Sequence, residues 1–301
     1  MKDRTVGFRI FNAFNITLMI LLSITFLFPF INVLAKAFND GADASRGGVW
    51  LWPRKFSTFN FEALLSQDDL FYASYISIAR VLIGVLLSLF VTFGAGYALS
   101  IKGWRGRGAF QLIMLIPMYI GGGFIPYYLL LSSLGLINNF LVYVLPGAFS
   151  YFSAVMVRVY ITSNIPSSLE ESAKIDGAND FRILFRIILP LCAPIIATIC
   201  LFRAVGLWND WTTTLIYADK KSLHTLQYKL ALILRENQAI QQMIQETIRK
   251  GQSIKDIPMP KTTPEALRSA LMIIVTAPII ITYPLLQRYF IKGAVIGAVK
   301  D

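Results

Sequence analysis

The chain has 301 residues, 55% of them hydrophobic and only 15% charged, and its mean hydropathy is +0.59. A soluble domain needs more surface charge than this, so the composition excludes an ordinary soluble protein and indicates one embedded in the lipid bilayer. The net charge of +11 is typical of cytoplasmic loops rich in Lys and Arg, and no nucleic-acid partner is expected because no basic patch is interleaved with a soluble fold.

The first predicted element is a transmembrane helix over residues 10–35. This run carries no charge and is too long for the core of a signal peptide, and no small-x-small cleavage site follows it cleanly. We therefore predict a retained first span, which together with an outer polar segment forms an N-terminal part, residues 1–69.

Charges interrupt the later apolar blocks and predict further spans. These are residues 70–101, two spans within 108–157 joined by a hairpin at Leu134–Gly135 and Asn138–Asn139, residues 187–207, and residues 266–290. Each is long enough to cross the hydrocarbon core. The predicted fold class is all-α, a polytopic membrane protein with six transmembrane helices, in which residues 70–292 form the core and 293–301 a tail.

The basic residues predict the orientation of these spans. They cluster before the first span, between the second and third, between the fourth and fifth, and after the sixth, and all four positions fall on one side. The positive-inside rule makes that side cytoplasmic and places both termini there. Residues 39–69 and the long loop at about 208–265 then lie outside.

Residues 117–126 contain two prolines and three glycines, which disrupt helix geometry. Non-helical backbone is tolerated in a membrane only where it is buried in protein or lines a wet cavity, so we expect this stretch at a gate or in the pore wall. Prolines elsewhere in the spans are interpreted as ordinary kinks.

The sequence shows no sign of catalytic chemistry. It has no GxxxxGK[ST] loop for phosphate, and its single histidine, His224, cannot form a metal cluster or a catalytic triad. Cys192 and Cys200 would lie about 12 Å apart along a helix, too far for a disulfide. We expect no enzyme activity, no metal and no cofactor on this chain, so that any energy for transport comes from another subunit.

The stretch at residues 171–190, ESAKIDGANDFRILFRIILP, is charged and contains a glycine between two apolar spans. It resembles the EAA loop of ABC importer permeases, with Ser where that family usually has Ala. The matching positions are Glu171, Ser172, Ala173, Asp176, Gly177, Ala178, Phe185, Leu189 and Pro190. This resemblance implies the type I fold of ABC importer permeases.

The resemblance further implies that residues 166–186, here called the coupling loop, dock into a cleft of a cytoplasmic ATPase. Glu171 would meet a basic residue there, and Asp176, Gly177 and Ala178 would form the bend. From patterning alone, a solvated amphipathic linker between two spans is an equal alternative.

Local signals predict how the coupling loop folds. Pro166 suits the first turn of a helix capped by Ser167 or Ser168, and Gly177 suits a left-handed end. Apolar side chains are expected on one helix face and again where burial resumes. These are Leu169, Ala173 and Ile175 on that face, then Phe185 and Leu189.

The resemblance covers residues 70–300 and is closest to the smaller, maltose-type permease of carbohydrate importers, including those for complex oligosaccharides. Residues 207–211 and 291–300 carry this likeness. It implies a bacterial cell membrane, a second homologous permease, two cytoplasmic ATPase subunits that hold ATP and Mg, and an extracytoplasmic sugar-binding protein. Residues 220–252 depart from the pattern as a helix-rich insertion, which either contacts the binding protein or packs on the partner permease.

Aromatic and polar side chains near the spans are candidates for the sugar pathway, because a sugar ring has an apolar face and a hydroxyl rim. They are Tyr119, Tyr127, Tyr128, Trp208, Asn209, Asp210 and Trp211. The alternative for the aromatics is the ordinary enrichment of Tyr and Trp at membrane interfaces.

Arg80 and Arg203 lie within predicted spans, where charges usually mark a pathway or a partner. A guanidinium that forks onto a carboxylate would suit a uronate-containing oligosaccharide. The alternatives are snorkelling to the lipid headgroups and an ion pair with the partner permease. A stand-alone secondary transporter or channel remains the other functional class, but it predicts an internal repeat and charges near mid-membrane; no convincing repeat is found, and such charges are few.

Overall fold

The computed structural model describes residues 6–44, 47–66, 68–104, 106–249 and 263–298. These residues form helices joined by turns. Among them, the one β-type pairing is an isolated antiparallel bridge between Asn39 and Phe56, and no extended strand is present. The predicted all-α class is confirmed. The chain divides into two compact units, Met1–Leu70 with Leu230–Ala277 and Phe71–Lys229 with Pro278–Asp301. The predicted boundaries at residues 69 and 292 remain a prediction.

The first unit begins with helix α1, Val6–Ala37, whose side chains are almost all exposed over residues 6–34. A helix this apolar can leave its surface exposed only if lipid or another membrane helix covers it. Short helices follow at Gly41–Ala44 and at α2, Phe59–Leu65. Arg54, in the segment between these two helices, forms an ion pair at 3.0 Å with Asp43 of the first one. The side chain of Asn39 donates to the same carboxylate, and this hydrogen bond is the main reason why the pKa of Asp43 is lowered.

Three described helices are long and apolar enough to cross a membrane by themselves. They lie in α1, in α3, Asp68–Ser100, and in the first half of α12, Pro264–Ala298. They correspond to the predicted first, second and sixth spans. Two bent pairs of helices raise the count to at most five if each pair makes one crossing.

One bent pair is α4, Arg107–Tyr119, and α5, Phe124–Ser133, whose axes differ by 113°. Gly123, just before α5, has φ +83°, which a residue with a side chain adopts only with strain. The predicted disruption of the helix at residues 117–126 is confirmed. The predicted fourth span corresponds to α6, Tyr151–Asn164, whose 14 residues are too few to cross the bilayer alone.

The other bent pair is α8, Asp180–Leu191, and α9, Ala193–Asn209, which meet at Cys192 with a bend of 81°. The middle of α8, Leu184–Ile188, is π-helical. Cys192 and Cys200 are free thiols, as predicted.

Helices α3 and α6 approach closely at Gly96. A Cβ atom at Gly96 would lie 2.6 Å from Val157 Cβ and 2.8 Å from the carbonyl oxygen of Ala154. Real Cβ atoms are not found this close to their neighbours, so the contact between the two helices requires glycine.

Gly96→Val is therefore expected to destabilise the protein by about 1–3 kcal/mol, the usual cost of overpacking a core. The measurement is denaturant unfolding of the purified protein in detergent micelles. Gly94→Val is the matched control, since Gly94 lies on the same helix with open space around it. Equal losses in the two variants would show that helix propensity, not the contact with α6, sets the cost.

Candidate functional site

The coupling loop contains helix α7, Ser167–Ile175, and a tight turn into α8. The N–H of Ala178 donates to the Ala173 carbonyl at 2.9 Å, and the N–H of Gly177 donates to the Lys174 carbonyl at 3.0 Å. This is the Schellman pattern of helix ends, and Gly177 has the left-handed φ of +77° that it requires. The predicted left-handed end is confirmed.

The start of α7 differs from the prediction. Pro166 itself occupies the cap position, and neither Ser167 nor Ser168 caps the helix, because both lie inside its first turn. At the start of α8, the side chain of Asn179 accepts from the N–H of Arg182 at 2.9 Å and caps that helix.

Burial separates the residues of the coupling loop into two sets. Ala173 is buried and Ala178 packs partly against the same core, so these two small residues attach the loop to the protein. Glu171, Ser172, Asp176 and Gly177 are exposed and available to a partner.

The predicted apolar face of α7 is only partly correct. Leu169 is 43% exposed and Ile175 is 87% exposed, and in α8 Phe181 and Phe185 are exposed as well. Leu189 packs against the core as predicted. The exposed surface of the loop therefore combines carboxylates with bulky apolar side chains.

The buried side of the coupling loop joins the core of the second unit. Ala173 belongs to a cluster of buried residues from five helices, and the cluster extends to the middle of α9. Its members are Phe93, Tyr97, Val157, Ile161, Ala173, Ile183, Ile188, Cys192 and Ile199. The loop is therefore packed directly against this core through Ala173.

Arg80 is fully buried in the second unit. Its Nη2 donates to the carbonyl oxygen of Leu207 and, at 2.5 Å, to that of Asp210, and it lies 3.7 Å from the Asp210 carboxylate. The guanidinium carbon is 5.1 Å from the centroid of the Tyr143 ring. Snorkelling is thus the wrong interpretation of Arg80, which instead holds the end of α9 by capping its last carbonyls.

A network of polar contacts lies around Arg80 and was not predicted from the sequence. The hydroxyl of Tyr143 donates to the Leu223 carbonyl at 2.7 Å and lies 3.1 Å from the Thr214 hydroxyl, which in turn is 3.1 Å from that of Thr225. Ser77, one turn before Arg80, accepts from the N–H of Leu226 at 2.9 Å. Polar residues within apolar runs were the available signal, but their partners lie far away in sequence.

Residues 208–211, with the sequence WNDW, lie beside Arg80, but their side chains differ in exposure. Trp208 is buried, Trp211 is half-buried and Asn209 is exposed. The Oδ1 of Asp210 accepts from the N–H of Thr213 at 3.1 Å, and its Oδ2 is the oxygen that lies near Arg80, so both carboxylate oxygens have a partner. Arg203, the other predicted arginine, packs on Gly147, where any added Cβ would overlap its guanidinium group.

The predicted tyrosines do not form one site. Tyr127 and Tyr128 of α5 contact Tyr217 at ring-centroid distances of 6.4 and 5.9 Å, at the end of α10, Thr212–Tyr217. Tyr119 ends α4 on the other side of the break and is exposed. Tyr217 is a further aromatic candidate that sequence reasoning overlooked.

Two surface cavities of the second unit differ in chemistry. One of about 420 Å³ is lined almost wholly by apolar side chains of α3, α9 and α12 and does not suit a sugar. The other, about 430 Å³, lies at the helix break and combines glycine backbone and an aromatic ring with apolar side chains; its lining is Gly121, Gly122, Gly123, Phe124, Pro126, Tyr127 and Leu130. Among the described residues, no cluster of His, Cys, Asp and Glu is arranged to hold a metal ion.

The predicted insertion at residues 220–252 is largely helical: α11 runs over Leu226–Arg249, and residues 250–252 lie outside the described part. The predicted tail is described only as far as residue 298, where α12 ends. Of the basic residues that predicted the orientation, Lys2, Arg4, Arg105 and Lys300 lie outside the described residues.

Comparison with known sequences gives consistent matches over more than nine tenths of the chain. A family model described as "Binding-protein-dependent transport system inner membrane component" matches residues 6–295. The "Polygalacturonan/rhamnogalacturonan transport system permease protein YtcP" of Bacillus subtilis (strain 168) is 32% identical, over 97% of this chain and 99% of that protein. The "Arabinooligosaccharides transport system permease protein AraQ" of Halalkalibacterium halodurans is 27% identical, over 91% of each chain.

Comparison with solved structures gives the same fold. A chain from the crystal structure of a bacterial ABC transporter involved in the import of the acidic polysaccharide alginate superposes with a TM-score of 0.83 at 27% identity, covering 96% of this chain and all of that one. A chain of a bacterial alginate ABC transporter in complex with an alginate pentasaccharide-bound periplasmic protein has a TM-score of 0.55 at 14% identity, which shows the fold alone.

Proposed function

Since this chain belongs to the family of binding-protein-dependent transport system inner membrane components, we propose that it carries oligosaccharides of acidic sugars into the cell. It is a permease component of a sugar ABC importer, a multi-pass protein of the inner membrane. The proposal extends this to the class of sugar, the partners and the route of coupling.

The proposed assembly pairs this chain with a second permease, two cytoplasmic ATPase subunits and an extracytoplasmic sugar-binding protein. ATP and Mg are bound by the ATPase subunits, because the sequence of this chain has no phosphate loop. Both termini face the cytoplasm, which puts the coupling loop on the side where ATP is hydrolysed.

The coupling loop is the proposed contact with the ATPase. Its exposed surface presents Glu171 and Asp176 beside Ile175, while Ala173 anchors it to the core. The carboxylates suit basic residues in a cleft, and the apolar side chain suits the interior of that cleft.

The acidic character of the sugar rests first on similarity. One relative is named for polygalacturonan and rhamnogalacturonan, and one structural neighbour imports alginate, an acidic polysaccharide. Galacturonan carries a carboxylate on each sugar unit, so an importer of such chains needs cationic groups along its path.

Arg203 is the proposed contact with a sugar carboxylate, and Arg80 is not. Each arginine has buried nitrogens without a hydrogen-bond partner among the described residues, Nε and Nη1 in Arg80 and Nε in Arg203. Arg80, however, is fully buried beside the Asp210 carboxylate, whereas Arg203 is only half-buried and has no ion pair within 4.0 Å in the described part of the chain. The glycine-lined groove beside Tyr127 is the proposed place for sugar hydroxyls, because the broken helix leaves backbone groups there for hydrogen bonding.

The test is ATP hydrolysis by the four-part importer in nanodiscs, stimulated through its binding protein by oligogalacturonate or by the same oligomer as its methyl ester. We expect the acid to stimulate at least roughly tenfold more than the ester, about 1.4 kcal/mol for a lost charge-assisted contact. Arg203→Gln should reduce this difference, and Arg203→Lys, which retains the charge, should preserve part of it. Equal stimulation by both forms, or stimulation by neutral arabino-oligosaccharide alone, would exclude acidic sugars as the substrate.

A further inference from the structure

Residues 49–52 present an apolar surface near the outer end of α1. Trp50, Leu51 and Trp52 are 64%, 58% and 81% exposed, whereas Val49 is buried. Three successive exposed side chains of this size form a patch that usually marks contact with a membrane or a protein.

The segment returns along α1 instead of leaving it. The side-chain amide of Asn32 donates to the carbonyls of Val49 and Trp50, both at 2.9 Å, and the Trp50 ring lies 6.4 Å from that of Phe28. Asn32 and Phe28 lie about 8 and 14 Å before the end of α1, at 1.5 Å per residue. The chain therefore bends back toward the bilayer after α1 ends.

The depth of Phe28 places Trp50 at the edge of the hydrocarbon core. Helix α1 has 32 residues and is about 48 Å long, whereas the hydrocarbon core is about 30 Å thick. About 20 residues of helix are needed to cross this core. Counted from Arg9, the last charge before the apolar run, the crossing therefore ends at about residue 29. Tryptophan favours that depth because its ring is apolar and its N–H is polar.

The segment is fixed by hydrogen bonds on its other side as well. The Nη2 of Arg54 donates to the carbonyl of Gly47 at 2.7 Å, and its Nε pairs with the Asp43 carboxylate at 3.0 Å. Gly47 and Gly48 have φ +71° and +74°, which allows the chain to turn. The exposure of the two tryptophans is thus a property of the folded segment.

We propose that residues 49–52 are an interfacial anchor, inserted among the lipids of the outer leaflet at the boundary between headgroups and acyl chains. Lipid fits better than a protein partner because the tryptophans lie at the depth of the interface, where the amphipathic ring of this residue partitions among lipids. Lys55, exposed just beyond the patch, is placed for lipid phosphate. The inference goes beyond sugar transport and does not depend on the substrate.

The experiment measures tryptophan fluorescence of the assembled importer in vesicles of phosphatidylcholine brominated at shallow (6,7) or deep (11,12) acyl positions. The native protein is compared with Trp50→Phe/Trp52→Phe, and the difference between them reports the two tryptophans. We expect this difference to be quenched at least twofold more by the shallow bromines than by the deep ones. Trp104→Phe is the matched control, since it removes an exposed tryptophan from another loop. It should leave the fluorescence component of Trp50 and Trp52 intact.

Two results would overturn the proposal. If the component is insensitive to both lipids but quenched by iodide in the aqueous phase, the segment lies in water. If neither bromine nor iodide quenches it, another protein covers the patch, either the partner permease or the docked sugar-binding protein. Gel filtration and a shared unfolding midpoint would confirm that the Phe variants remain folded and assembled.

Discussion

Gly177→Val is expected to reduce sugar-stimulated ATP hydrolysis by the assembled importer at least roughly tenfold. At φ +77°, valine costs about 1–2 kcal/mol or more, so the chain relieves strain by opening the turn between α7 and α8. The hydrogen bonds from Gly177 and Ala178 to the end of α7 would then be lost. Ile175 and Asp176, which directly precede Gly177, would no longer fit the proposed ATPase cleft.

Gly103→Val is the matched control for this experiment. Gly103 has φ +84° and open space for a Cβ, as Gly177 does, but lies in the loop between α3 and α4. Comparable loss of activity in the two variants would mean that backbone strain alone lowers activity, and the coupling role of residues 166–186 would be refuted. Retained assembly with the ATPase is checked by copurification in both cases.

Arg80→Met is expected to destabilise the protein by about 3 kcal/mol, the lower part of the range for breaking a buried ion pair, because Asp210 is partly exposed. The variant leaves the carbonyls of Leu207 and Asp210 without their donor and removes the cation from the Tyr143 ring. Denaturant unfolding in detergent measures the effect.

Arg203→Met serves as the comparison, because Arg203 is only half-buried and has no ion pair within 4.0 Å among the described residues. It should cost clearly less than Arg80→Met. Arg80→Lys should recover part of the loss, since one nitrogen, Nη2, contacts both carbonyls and the carboxylate, and an ammonium group also has three N–H donors on one nitrogen. An unfolding free energy unchanged in Arg80→Met would show that the buried arginine is dispensable for the end of α9.

The sequence alone determined the features that depend on local chemistry. Apolar length predicted the spans at α1, α3 and α12, because crossing lipid requires about 20 residues without charge. Gly177 predicted the left-handed helix end, and the prolines and glycines of residues 117–126 predicted the break between α4 and α5, because these residue types limit or free the backbone at their own positions. The coupling loop was recognisable since its pattern is contiguous.

Only the tertiary structure decided the contacts between distant segments. Arg80 meets Asp210 across 130 residues of sequence, and no local signal distinguishes that pairing from snorkelling to the headgroups. The exposure of Ile175 depends on how α7 and α8 pack against the core, and the return of Trp50 to Phe28 depends on Asn32. A side chain's type limits which partners it can accept, but the position of those partners is set by the packing of the whole fold.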